Sequence, residues 1–126
     1  MNGSRAEDPI LPGALIGILG GGQLARMTAL AARAMGYRIA VLDPDKDCAA
    51  APVVDEVVVA PFDDAQAAVR LAERCAVVTY EIERITPAVL RAVEQVASLR
   101  PGAAVLECVQ DRARQKEFLL AVVRWC

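Results

Sequence analysis

The residues best equipped for chemistry in this sequence are a run of glycines and a few carboxylates. Gly20-Gly21-Gly22-Gln23-Leu24-Ala25 fits the spacing G-x-G-x-x-G/A. Glycines there let the chain turn sharply and let a ligand approach the backbone, while unpaired N–H groups at the start of the next helix attract anions. Taken literally, this is a dinucleotide fingerprint. Asp43 follows about 20 residues on, where an acid would bind an adenosine ribose. The same glycines also suit a tight strand-to-helix turn with no ligand, and Asp43 before Pro44 suits a plain turn former. Tyr80-Glu81-Ile82-Glu83 argues against a pyrophosphate. Strand ends of a doubly wound sheet converge on one crevice, and carboxylates there repel phosphate unless turned away. They favour a ligand that offers hydroxyl or amino donors. Because side chains alternate along an extended segment, one of Glu81 and Glu83 is expected to face the crevice. The alternative is that both are exposed loop charges.

The rest of the composition narrows the chemistry. There is no histidine among the 126 residues, so Ser-His-Asp, Cys-His and histidine acid–base schemes are excluded. Cys48, Cys75, Cys108 and Cys126 are widely separated and include no CxxC pair. They read as small apolar residues in a reducing compartment, with no metal site expected. Net charge is −2 with acids and bases interspersed, unlike the basic stripe of a nucleic-acid binder. No window has the length of apolar residues that a membrane span needs, and Ala14–Leu19 follows acids instead of a basic signal-peptide start. No membrane contact and a cytoplasmic location are the default expectations.

Positioning these groups requires alternating elements. Leu15–Leu19 reads as a buried strand running into the glycines. Gln23–Met35 reads as a helix with Leu24, Met27, Leu30, Ala31 and Met35 on one face, and Gly36 as its stop. Tyr37–Leu42, Glu56–Ala60 and Ala76–Tyr80 read as further strands, and Leu99-Arg100-Pro101 as a brief fifth. Asp63 or Asp64 can cap a helix reaching about Arg74, with Val69 and Leu71-Ala72 inward. Thr86-Pro87 starts a helix carrying Val89, Leu90, Val93 and Val96. Two helical stretches close the chain, the second from about Asp111. Strands alternating with helices predict an α/β, Rossmann-like parallel sheet with helices on both faces. The expected organisation is a mobile leader over 1–13, the sheet domain over 14–107 and a helical lead-in over 108–126.

Four segments together resemble the opening of the 5-(carboxyamino)imidazole ribonucleotide synthetase family. They are Gly17-Ile18-Leu19-Gly20-Gly21-Gly22-Gln23-Leu24-Ala25-Arg26-Met27, Val41-Leu42-Asp43-Pro44-Asp45, Val78-Thr79-Tyr80-Glu81-Ile82-Glu83, and Gln110-Asp111-Arg112 with Lys116-Glu117-Phe118-Leu119. Ala25 stands where the family has glycine, and Ile82 and Arg84 where Phe and Asn are commoner. The resemblance implies a pre-ATP-grasp domain of a ligase using ATP, Mg2+ and bicarbonate to carboxylate aminoimidazole ribonucleotide in purine synthesis. It implies that Gly21, Gly22, Gln23 and Leu24 line the ribonucleotide site and that Glu81 bonds its ribose or amine. Arg112 would reach the ATP, Asp43 would shape its turn, NAD would not bind, and the full-length enzyme would be a homodimer. No catalytic residue or magnesium site is expected within this chain. After Leu119 the family continues into a Gly-Ile-Pro linker and an ATP-grasp domain, whereas this sequence reads Leu120-Ala121-Val122-Val123-Arg124-Trp125-Cys126. The expectation is an inactive N-terminal portion, through a frameshift, an early stop or deliberate cutting.

Two other readings compete. One is an NAD-binding module of an oxidoreductase, which NADH fluorescence would reveal. The other is a non-catalytic interaction module whose bare apolar surface would show as oligomers on size exclusion. The ribonucleotide reading requires that Gln23 and Glu81 meet beside the glycines, at the carboxyl edge of neighbouring strands.

Overall fold

A computed structural model describes residues 8–81 and 84–124. Four strands, β1 (Leu15–Leu19), β2 (Arg38–Asp43), β3 (Glu56–Val59) and β4 (Val77–Tyr80), form one sheet in the order β3-β2-β1-β4. Every pairing is parallel, with Leu19 opposite Leu42 on one side and Tyr80 on the other. Parallel neighbours need crossovers, and helices supply them: α1 (Gln23–Ala34) between β1 and β2, and α2 (Ala65–Ala72) between β3 and β4. After β4 come α3 (Pro87–Glu94), α4 (Ala103–Gln110) and α5 (Arg112–Val123). The α/β, Rossmann-like class expected from the alternation is the class found.

Alternation along β1 sorts the core into two layers. Leu15 and Leu19 face a cluster completed by Leu42, Leu71, Leu90, Val93 and Leu106 from β2 and α2–α4. Ile18, with Ile39 and Val41 of β2, faces Ala25, Ala29 and Ala32 of α1. Local signals set the element ends. Asp64 caps α2 through the Ala67 N–H at 3.0 Å, Thr86 caps α3, and Asp111 caps α5 through the Ala113 N–H at 2.9 Å. Gly36 ends α1 at φ +92°, a conformation costly for any side chain.

Three expectations meet a different outcome. The apolar face of α1 is turned outward: Leu24, Met27, Leu30 and Met35 are all more than half exposed, while the alanines at 25, 29 and 32 pack on the sheet. Only small side chains fit a helix held so close to its strands. The brief fifth strand is a single parallel bridge between Leu99 and Val78. Within the stretch read as leader, residues near the sheet are tied down. The Gly13 N–H donates to the Gly36 carbonyl at 2.8 Å, and the Tyr37 hydroxyl to the Ile10 carbonyl at 2.6 Å.

Cys48 and Cys75 behave as apolar fillers. Cys48 is buried, and burial pushes the Cys75 thiol up to about 11, so it stays protonated at neutral pH. On the surface, Arg74 forks onto Glu56 at 2.6 and 2.8 Å, and these hydrogen bonds hold the Glu56 carboxyl below its ordinary value of 4.5. A depressed acid contributes stability above its ordinary value and loses it as pH falls through the lowered one. Glu56→Gln is therefore expected to cost about 0.5 kcal/mol in urea unfolding at pH 7, both partners being substantially exposed. The difference should vanish once acid has protonated Glu56; a cost that survives acid would mean packing, not charge, is responsible.

Candidate functional site

The candidate site lies where β1 ends. Leu19 leads into Gly20, held at φ +105°, and its N–H donates to the Leu42 carbonyl at 2.8 Å. The chain then turns through Gly21 and Gly22 into α1. β4 is the neighbour of β1, and Glu81 follows its last residue, with the Glu81 N–H donating to the Leu19 carbonyl at 3.2 Å. Strand register alone therefore delivers this acid to the glycine turn.

Its carboxylate closes onto that turn. The Gly22 N–H donates to Oε1 at 2.6 Å and the Ala25 N–H to Oε2 at 2.7 Å. Gly22 is needed for this approach, since a methyl group there would sit 2.5 Å from Oε1. Asp43, at the end of β2, takes the next amide. Its Oδ2 accepts from the Gly21 N–H and its Oδ1 from the Asp45 N–H, both at 2.9 Å. Asp43 thus joins the glycine turn to its own turn through two backbone amides.

Gln23 and Leu24, the first two residues of α1, are exposed beside Glu81. Their backbone N–H groups have no partner among the described residues, as expected of a helix's first turn. The result is a small patch offering two donors next to a carboxylate that keeps unused lone pairs. Of the residues singled out from the sequence, Gly21, Gly22, Gln23, Leu24 and Glu81 are brought together. Glu83 lies outside the described residues. Arg112 is exposed at the start of α5. The Gln110 side-chain amide donates to the Ile85 carbonyl at 3.0 Å, so α5 begins close to Ile85. Sequence reasoning missed the carboxylate–amide bonds themselves, which span 56 and 59 positions of chain and carry no local signature.

The family model for the ribonucleotide synthetase preATP-grasp domain matches residues 14–110. The chain belongs to that family. An N5-carboxyaminoimidazole ribonucleotide synthase of Staphylococcus epidermidis is 44% identical over 108 residues, 86% of this chain and 29% of the relative. An N5-carboxyaminoimidazole ribonucleotide synthetase solved as its ADP complex superposes with a TM-score of 0.83 at 51% identity, covering 86% of this chain and 29% of that one. The Aspergillus clavatus N5-carboxyaminoimidazole synthase, solved with ADP and 5-aminoimidazole ribonucleotide, gives a TM-score of 0.72 at 31% identity, covering 87% and 30%. The chain spans about three tenths of the length of the relatives it matches. Those relatives are ligases, and the part of them it corresponds to is the preATP-grasp domain.

Proposed function

We propose that this chain is the ribonucleotide-facing domain of an ATP-dependent ligase that carboxylates 5-aminoimidazole ribonucleotide. One observation carries the reading: the Glu81 carboxylate sits next to the free N–H groups of Gln23 and Leu24, at the carboxyl edge of β1 and β4. A ribose hydroxyl both donates and accepts, so it can give its proton to Glu81 and take one from the helix start. An exocyclic amine can donate to the same carboxylate. Gly21 and Gly22 bring the backbone close enough for both. Arg112, whose guanidinium forks onto phosphate, is the group proposed to reach ATP.

In the proposed reaction, bicarbonate oxygen attacks the γ-phosphorus of ATP, releasing ADP and forming carboxyphosphate. The amine nitrogen of the ribonucleotide then takes the carboxyl carbon, losing a proton as phosphate leaves. This chain's part is to hold and orient the amine-bearing sugar. Among the described residues no three His, Cys, Asp or Glu side chains gather as a metal site.

The test is an amide-shift titration of the chain with aminoimidazole ribonucleotide. Saturable shifts at Gln23, Leu24 and Glu81 are expected, weakened on the order of tenfold in Glu81→Ala by loss of hydrogen bonds to a charged group. ADP formation dependent on the ribonucleotide is not expected from this chain alone. A titration that leaves these three amides unmoved would overturn the proposal.

A further inference from the structure

We infer that Glu81 is the built-in anion of the glycine turn and sets the charge class the crevice accepts. In a dinucleotide-binding turn, glycines make room for a pyrophosphate whose oxygens accept from the amides at the helix start. Here most of that arrangement is already used by the protein. Glu81 Oε1 and Oε2 take the amides of Gly22 and Ala25, Asp43 takes that of Gly21, and the space left by the missing side chain of Gly22 is filled by Oε1. A phosphate approaching the remaining amides of Gln23 and Leu24 would meet the Glu81 carboxylate bonded to the amides on either side of them, and like charges repel. The fingerprint spacing is thus satisfied from within. Glu81 is a specificity-determining residue that turns an anion site into a site for neutral donors, so any phosphate on the ligand must be held elsewhere.

That the neutral ligand is a ribonucleotide's sugar rests on the function proposed above; the exclusion of phosphate does not. The experiment therefore uses inorganic pyrophosphate, followed through the amide resonances of Gly22 and Ala25 in the whole chain. In the wild type these amides are expected to stay still. Glu81→Gln keeps the shape and removes the charge, and Glu81→Ala removes both; each is expected to show saturable pyrophosphate shifts, with affinity raised on the order of tenfold or more. Wild-type shifts with the affinity of Glu81→Gln would overturn the inference, as would variants no more responsive than the wild type. Should Glu81→Ala not fold, the wild type and Glu81→Gln decide between these outcomes. Failure of the ribonucleotide titration with this pattern intact would sink the substrate and leave the charge selection standing.

Discussion

Leu19→Ala is expected to lower the free energy of unfolding by about 3–5 kcal/mol, the largest loss from any single side chain near the site. Leu19 is fully buried at the end of the central strand, between Leu42 and Tyr80, in the layer covered by α2–α4. Truncation removes the transfer energy of the side chain and leaves a cavity bounded by two strands that cannot close in. Against a total of about 5–15 kcal/mol for a domain of this size, that is enough to populate unfolded chain. Urea denaturation followed by far-UV circular dichroism measures it. A loss under about 1 kcal/mol would mean that the layer relaxes into the gap and is not close-packed.

Gly21→Ala is the second large effect, and its cause is space. A methyl group at this position would lie 2.5 Å from Cys48 Sγ and 3.3 Å from Asp43 Cβ. Cys48 is buried, and the segment holding it is pinned by the Ala50 N–H donating to the Gly21 carbonyl at 2.9 Å, so neither side yields cheaply. Overpacking of this kind costs about 2–3 kcal/mol, which for a chain of this length lowers Tm by roughly 8–12 °C. Cys48→Ala in the same chain should return part of the loss by deleting the sulfur. Strict additivity of the two substitutions in a thermal-melt double-mutant cycle would show that the clash is not the cause. Gly22→Ala differs in kind, because the atom in its way is the movable end of Glu81.

The strands and the turn were readable because each leaves a local trace. Apolar runs bounded by Gly20, by Asp43-Pro44 and by Glu81 mark three strand ends, and Asp64, Thr86 and Asp111 announce three helix starts by capping chemistry. The orientation of α1 was not readable from its periodicity. Alanines at 25, 29 and 32 repeat at helical spacing as faithfully as Leu24, Met27 and Met35 do. Two apolar stripes compete there, and bulk alone favours the wrong one. What decides is the entry: the Gly22 and Ala25 amides are fixed on Glu81, which sets the rotation of the first turn. For the site, residue types pointed to a crevice with an acid beside glycines. Which atoms the acid would hold depends on β4 lying beside β1, a fact of topology that no short stretch of chain contains.

The all-alanine underside of α1 also acts as a height gauge. It lets the helix axis ride low over β1 and β2, and so sets how far its opening amides stand above the sheet. A glutamate leaving the end of β4 spans that gap, whereas an aspartate is one methylene short and a bulkier underside would lift the amides beyond reach. Side-chain length at 81 and side-chain size at 25, 29 and 32 are therefore one coupled dimension, and redesign of either end of the crevice has to change both.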